Sequence, residues 1–550
     1  MTSSSNNSLN STVTTGYARR RPAPVIDKSS GAARLLVDGE PFYVRGVELH
    51  NSTPTSADAF AQALDTANSV HANVVLAGVT WEMIEPVEGQ YDFSSVSRMI
   101  HQARVAGTRL VLLWFGAWKN GVSSYAPVWV KRDWQRFPLC VLENGSLTST
   151  LTPFGPTDLD LDAFVALIKF VEEIDGGQRT VLMVQIENEI GLLGDSRDRS
   201  ASANAAFTSA VPTELRESMR DRAGFGVDSA ATLTWSDVTE DTMGRDEAFM
   251  ACGYATHVQK LAAAGRTISD IPFFVNAWLD SPMDLGDSAF SLAGGQEPGV
   301  YPSGGPLPRV QDVWTAVATD VALFAPDTYF GDPDTIFSSF SEMSGGLFIP
   351  EQRIAEDGVG TAFLAWGEYS ALGVSPFGID SRTTEELAPL ADGYRILQGL
   401  APLLTDAEGH RRHTRGFHLT DTAPAVEMTF GDIKVLIARS FMFGGDETDT
   451  HEYGLVIDCG DDTFVFAGRG FFAQLSCADP EVQIGMGTVT ELDQVTGEPG
   501  RVLNGDETGG GTMVIHPPRV RSVSSFPIPF GHAHTGLSTV SVYRVPRSTP

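Results

Sequence analysis

Thr180-Val-Leu-Met-Val-Gln-Ile-Glu-Asn-Glu-Ile-Gly191 joins an unbroken apolar run to two carboxylates and an amide. Its apolar part, Thr180-Val-Leu-Met-Val184, shows none of the alternation of a half-exposed strand. It has the pattern of a strand buried on both faces, as in a parallel sheet covered by helices. The strand then stops at Glu187-Asn188-Glu189. In a barrel of parallel strands the C-terminal edge is where chemistry is kept. Apolar walls and a second carboxylate can hold a carboxyl protonated there, as a general acid requires. A strand ending in solvated acids would show the same tripeptide, so the choice falls to the rest of the chain.

Working outward, seven further short apolar runs flank this one. They are Gly46-Val-Glu-Leu-His50, Asn73-Val-Val-Leu-Ala77, Arg109-Leu-Val-Leu-Leu-Trp114, Pro272-Phe-Phe-Val-Asn276, Leu323-Phe-Ala-Pro-Asp327, Gly346-Leu-Phe-Ile-Pro350 and Thr361-Ala-Phe-Leu-Ala-Trp366. Helical periodicity fills most of the intervals, as in Leu161-Asp-Ala-Phe-Val-Ala-Leu-Ile-Lys-Phe-Val171. Eight strands alternating with helices predict a (β/α)8 TIM barrel. The seventh and eighth runs lie unusually close together, and residues 192–246 read as an insertion over the barrel mouth. Arg34 to Arg45 reads as a hairpin turning at Asp38-Gly39.

Beyond about residue 400 the helical period disappears. Asp432-Ile-Lys-Val-Leu-Ile-Ala438, Gly454-Leu-Val-Ile-Asp458, Thr463-Phe-Val-Phe-Ala467 and Thr539-Val-Ser-Val-Tyr543 are short strands separated by Gly/Asp turns. They predict an all-β sandwich domain. The expected organisation is a polar, disordered tail over 1–25, a catalytic barrel with its leading hairpin over 26–400, and the sandwich over 401–550.

Composition bounds the partners. Against 38 basic residues stand 69 acidic ones, a net charge of −31, which disfavours nucleic acid and anionic membranes. Cys140, Cys252, Cys459 and Cys477 form no CxxC pair, so free thiols are expected rather than disulfides or zinc. Arg19-Arg20-Arg21 is followed by Pro22-Ala-Pro24 instead of an apolar stretch, and no run reaches transmembrane length. A cytoplasmic location, with no membrane partner, is expected. His532-Ala-His534 lacks further ligands at matching spacing. There is no GxGxxG or P-loop, and no G-x-S-x-G elbow. Neither cofactor nor metal is expected; a homo-oligomer is compatible with the sequence.

Two carboxylates at facing strand ends would suffice for displacement at an acetal carbon. Glu189 ends the fourth run and Glu351, in Gly346-Leu-Phe-Ile-Pro-Glu351-Gln352, ends the seventh, across the barrel from the fourth. Glu368 is the alternative to Glu351. Aromatic rings at strand edges suit the apolar faces of sugars. Trp81, Trp114, Trp118, Trp278, Tyr329 and Trp366 all fall there, with Trp366 the leading stacking candidate, although core packing is the competing use of each. Glu187 is expected to support Glu189 electrostatically, and Glu85 to lock the loop after the second strand. His50 and Asn51 could bind a hydroxyl.

At this point a resemblance becomes specific. Gly46-Val-Glu-Leu-His50, Trp81-Glu-Met-Ile-Glu-Pro-Val-Glu-Gly-Gln-Tyr-Asp-Phe93, Tyr125-Ala-Pro-Val-Trp129 and Val184-Gln-Ile-Glu-Asn-Glu-Ile-Gly191 resemble the motifs of glycoside hydrolase family 35 β-galactosidases, bacterial type with an extra C-terminal β-domain. The resemblance covers roughly residues 35–400. It implies a retaining exo-glycosidase acting on an oligosaccharide or glycoside, with Glu189 as acid/base, Asn188 as ligand of the sugar 2-hydroxyl and Glu351 as nucleophile. The chain departs from the family after the third strand. Where a Glu-Trp pair is usual, it has Leu113-Trp-Phe-Gly-Ala-Trp-Lys119, with Trp118 followed by a lysine and preceded by no acid. Specificity for galactose is therefore less firmly implied than the reaction, and Glu48 or His50 would be the substitute contact. A β-fucoside, α-L-arabinoside or β-glucoside is the alternative substrate, and a non-catalytic carbohydrate-binding barrel the alternative function.

Overall fold

A computed structural model describes residues 21–29, 31–155, 158–225, 233–281, 295–405, 413–439, 452–519 and 532–547. Most of the expected disordered tail lies outside these residues. Eight parallel strands close a barrel: β1 (Val44–Glu48), β2 (Val74–Thr80), β3 (Arg109–Lys119), β4 (Val181–Asn188), β5 (Phe273–Trp278), β6 (Leu323–Thr328), β7 (Ile349–Gln352) and β8 (Gly373–Pro376). A helix follows each one: α1 (Ala57–Ser69), α2 (Ser94–Ala106), α3 (Leu161–Asp175), α4 (Thr242–Arg266), α5 (Gln311–Val317), α6 (Pro333–Ser344), α7 (Glu356–Glu368) and α8 (Ala388–Thr405). This is the TIM barrel expected from the sequence. Every residue of β2, β4, β5 and β6 is buried, the outer face under helices and the inner face in the barrel interior.

The eighth strand is not where the sequence placed it. Thr361-Ala-Phe-Leu-Ala-Trp366 lies inside α7, and β8 begins at Gly373. Val359, Ala362, Phe363 and Trp366 are buried along α7 at a spacing of three and four that belongs to a helix, with Ala365 buried beside them. The true β8, Gly-Val-Ser-Pro, carries one large apolar residue because its seam with β1 is narrow. A Cβ on Gly373 would lie 2.7 Å from the Val44 carbonyl oxygen, and one on Gly46 would lie 3.0 Å from the Ser375 Cβ.

The N-terminal hairpin, Arg34–Val37 with Glu40–Pro41, turns at Asp38 and Gly39, both at positive φ. Its Leu35 and Val37 join Val44, Leu76, Leu113, Phe274 and Phe348 in one apolar cluster at the N-terminal end of the barrel strands.

After α8 the described residues form ten antiparallel strands: β9 (His413–Leu419), β10 (Ala425–Phe430), β11 (Ile433–Arg439), β12 (Glu452–Asp458), β13 (Thr463–Arg469), β14 (Phe471–Cys477), β15 (Val482–Leu492), β16 (Pro499–Leu503), β17 (Met513–His516) and β18 (Leu537–Pro546). They form a six-stranded sheet, β9-β12-β13-β18-β15-β16, over a four-stranded one, β10-β11-β14-β17. Phe417, Phe430, Val435, Phe466 and Phe471 fill the space between, as in a β-sandwich. The six-stranded sheet also packs outward on the barrel: Tyr453, Leu455 and Val465 share one core with Phe363 and Tyr394 of α7 and α8. Among the described residues no helix is long and apolar enough to cross a membrane.

Candidate active site

β3 and β4 run in register at their ends, with Lys119 opposite Asn188. β4 leaves its strand through two strained residues, Glu187 at φ +58° and Glu189 at φ +45°, conformations that non-glycine residues adopt only where the surroundings hold them. The kink turns side chains two residues apart, which a regular strand would place on one face, to opposite sides. Glu187 faces outward, behind the barrel wall, and Glu189 faces the mouth.

The Glu189 backbone N–H donates to Asn276 Oδ1 on β5 at 3.0 Å, and Asn276 Nδ2 donates to Asp327 Oδ2 on β6 at 2.6 Å. Asp327 in turn pairs in register with Glu351 on β7. Tyr329, just beyond β6, donates its hydroxyl to Glu351 Oε1. A small, partly open pocket is lined by Glu189, Trp278, Asp327, Tyr329 and Phe330. Glu48, at the end of β1, is buried beside it and feels the charges of Glu351, Lys119 and Glu189.

The electrostatics follow from crowding acids in a dry place. Burial pushes the Glu189 carboxyl up to about 8, the Glu351 charge adds to this, and Lys119 and a hydrogen bond from Asp327 pull it back. Burial, then the Glu351 charge, hold Glu48 and Asp327 well above the carboxylate range. Tyr329 is held neutral by burial and by Glu351. Several buried polar atoms around this pocket have no protein hydrogen-bond partner: Glu48 Oε1, Asn188 Nδ2, Asp327 Oδ1 and Thr328 Oγ1. Leaving such atoms unpaired costs about 1–3 kcal/mol each. A polyhydroxylated ligand supplies both donors and acceptors to them.

Behind the wall, Glu187 accepts from the backbone N–H groups of Ala117 (3.1 Å) and Trp118 (2.7 Å), fixing the irregular end of β3. His257 on α4 places Nε2 3.1 Å from Asp160 and 3.3 Å from Glu187, and Trp114 Nε1 donates to Asp160 at 2.5 Å. Burial opposes the charge on His257, yet Asp160 and Glu187 push it up to about 9. Burial raises Glu187, assisted by Asp160, to about 8, whereas His257 and Trp114 outweigh burial and lower Asp160. The ligand atoms of Asp160, Glu187 and His257 lie within 4.8 Å of one another, and these are residue types that hold metal ions. A buried acid/histidine cluster thus backs the catalytic edge, an arrangement consistent with glycosidase chemistry.

Of the residues singled out in the sequence, Glu189, Glu351, Asn188, Glu48 and Tyr329 are brought to the barrel mouth. Three are placed otherwise. Trp366 sits in α7, its ring against Phe363 and Tyr394, so the strand-end position that recommended it for stacking does not exist. Glu368 closes the same helix and pairs with Arg415 of β9 at 2.6 Å. Trp118 is fully buried on the Glu187 side, where it donates to the Leu151 carbonyl and meets Tyr254 and His257 edge-on. His50 stands at the rim, its Nε2 2.9 Å from Ser381 Oγ. Glu85 accepts from Trp81 Nε1 and the Gly89 N–H, tying down the loop after β2. Asn276 and Asp327 were passed over although each ends an apolar run, the signal that identified Glu189. Asp160 and His257, in a loop and in the middle of a helix, had no local signal.

Residues 390–515, which span α8 and much of the sandwich, match the model of a family described as a domain of unknown function (DUF5597). No curated protein matches the chain by sequence. Similar solved structures include a β-galactosidase from the psychrophilic Marinomonas ef1, at 13% identity and a TM-score of 0.45, covering 67% of this chain and 61% of that one. The catalytic domain of a β-amylase from Paenibacillus polymyxa, at 15% identity and a TM-score of 0.44, covers 63% of this chain and 96% of its own. A β-galactosidase from Bacillus circulans sp. alkalophilus shows 14% identity and a TM-score of 0.44, with 65% and 56% covered. The chain thus spans about three fifths of the length of the galactosidases it is similar to, and these distant likenesses concern the barrel fold alone.

Proposed function

We propose that the protein is a retaining exo-glycoside hydrolase that releases terminal β-D-galactosyl residues from oligosaccharides or glycosides. Glu351 is the nucleophile and Glu189 the acid/base. The observation that carries this reading is the division of labour between the two acids. Glu189 is buried and raised to about 8, so it holds a proton at neutral pH. Glu351 receives the Tyr329 hydroxyl, a donor that stabilises a carboxylate.

In the first step a Glu351 oxygen attacks the anomeric carbon as the bond to the leaving oxygen breaks, and the Glu189 proton passes to that oxygen. In the second, Glu189, now ionised, takes a proton from water, whose oxygen displaces Glu351 and restores its carboxylate. Asn188 and Glu48 hold sugar hydroxyls through the buried donor and acceptor that have no protein partner.

A related sugar is the second reading, favoured by Ala117-Trp118-Lys119 standing in place of the usual Glu-Trp pair, so that no carboxylate precedes Trp118 to accept the axial 4-hydroxyl. An unpaired hydroxyl costs on the order of 1–3 kcal/mol, enough to blur discrimination. Side activity on β-fucosides or α-L-arabinosides, which share the ring stereochemistry of galactose, is expected. A panel of nitrophenyl glycosides assayed with purified protein tests both readings. Turnover confined to another sugar class would replace the galactoside, and binding without turnover would leave a carbohydrate-binding barrel.

A further inference from the structure

Lys119 is a buried cation that the proposed chemistry does not use. Its ammonium lies over the Phe115 ring, 4.6 Å from the centroid, and donates to Asn188 Oδ1 at 2.8 Å. Among the described residues no carboxylate comes within ion-pair distance of it. An ammonium has three donors and no acceptor, so the amide of Asn188 can face it only with its oxygen. The amide nitrogen is thereby turned the other way, and Nδ2 is buried without a protein partner. Left alone, an asparagine amide can present either end to a ligand. Here it can present only the donor.

Asn188 directly precedes Glu189, whose carboxyl must reach the glycosidic oxygen. On the glycosidase reading, in which Asn188 is the ligand of the sugar 2-hydroxyl, this donor faces the substituent beside the anomeric carbon. We propose that Lys119 is a positioning residue that fixes Asn188 donor-outward, so that the site selects glycosides whose substituent at that carbon accepts a hydrogen bond and rejects those carrying an ammonium there. The substrate side of this proposal rests on the glycosidase reading above. A 2-amino sugar would meet an amide N–H2 and the lysine cation together, whereas a 2-hydroxyl supplies the lone pair that Nδ2 lacks. The same cation also faces the acids of the mouth. It lowers Glu189 and Glu48, against the opposing charge of Glu351 on both and the further charges of Glu351, Glu189 and Glu48 on Asp327.

The test compares wild type with Lys119→Met and Lys119→Arg in the full chain by two readouts. The first follows the Glu189 carboxyl by carbon-detected NMR titration, which needs no turnover. Loss of the cation is expected to move the midpoint upward from about 8, and Lys119→Arg to restore it. The second measures kcat/KM on nitrophenyl glycosides bearing a 2-hydroxyl, no 2-substituent or a 2-amino group. Wild type is expected to favour the 2-hydroxyl over the 2-deoxy sugar by at least about tenfold. Lys119→Met should shrink that ratio toward one and gain on the 2-amino sugar, while Lys119→Arg keeps the wild-type order. An unmoved titration, or a 2-hydroxyl preference that survives in Lys119→Met, overturns the proposal. A wild type that cleaves no glycoside removes the glycosidase reading, and the titration still decides whether Lys119 acts on this site. Should the methionine variant fail to fold, a Lys119→Gln variant is read in the same two ways.

Discussion

Two glutamates two residues apart, Glu187 and Glu189, have similar elevated pKa values and opposite surroundings. Only Glu189 opens on the pocket, and its pH dependence should therefore be visible in kinetics. The acid must carry its proton, so kcat/KM should fall as pH rises through about 8. Replacing it with alanine should cost roughly 10²–10⁴-fold on glycosides with poor leaving groups and far less on activated aryl glycosides, which depart without a proton. Equal losses on both would sink the assignment. Glu351→Gln should lower turnover by at least about 10⁴-fold with an unchanged melting temperature, because an amide forms no glycosyl ester. Azide added to Glu351→Ala should yield a glycosyl azide of inverted configuration. Rescue of a Glu368 variant instead would contradict the ion pair with Arg415 that occupies Glu368.

At the scale of elements, the Asp160–Glu187–His257 cluster ties the loop before α3, the end of β4 and α4 into one unit, and its protons make that unit pH-sensitive. The folded-state pKa of His257 lies above its ordinary value of 6.5, at about 9. Its contribution to stability is therefore full below about 6.5 and is lost as pH rises through about 9. Glu187, also raised, acts in the same direction, favouring the fold less as it ionises toward pH 8. The melting temperature should decline from pH 6.5 to 9, and His257→Gln should flatten that decline while lowering stability at pH 6.5. A parallel decline in the variant would place the titration elsewhere. Legibility in the sequence also divides at this scale. The apolar runs of β2 to β7 were visible because helices cover the outer face of those strands and the barrel interior buries the inner one. β8 was not, since its seam with β1 admits only small residues and leaves Val374 as its single large apolar side chain. Its neighbour α7 supplied an Ala-Phe-Leu-Ala-Trp run in its place, and periodicity alone cannot assign so short a segment. Glu189 and Glu351 were legible because each ends a strand. Asp160 and His257 were not, because only the fold brings loop, helix and strand together. Gly373→Val should test the seam: overpacking against Val44 should cost about 1–3 kcal/mol in denaturant unfolding. A neutral effect would mean that β1 and β8 can part.

For the whole molecule, the question is whether the sandwich is a separate module or part of the barrel's wall. The contacts favour the wall. Tyr453 of β12 lies 4.9 Å from the Phe363 ring of α7, and both belong to one continuous core. Beside it Arg469 of β13 forms two hydrogen bonds of 2.7 Å with the Asp392 carboxylate of α8, and donates also to the His534 carbonyl. The guanidinium is 8% exposed on its side chain, so this pair is buried rather than solvated. Removing one member of a buried pair strands the other charge, at a cost of about 3–5 kcal/mol. Arg469→Met should therefore lower the melting temperature of the whole protein in a single transition, reporting loss of barrel and sandwich together. Asp392→Asn should cost less, since the amide oxygen still accepts one of the two bonds. If calorimetry instead resolves two transitions, with only the sandwich destabilised in Arg469→Met and glycoside turnover intact between them, the sheets are an attached module and α7 and α8 stand without them. A shared core predicts the opposite: when the sheets detach, Phe363, Trp366 and Tyr394 lose their cover, β8 loses the helices that press it against β1, and activity disappears at the same temperature as the sandwich.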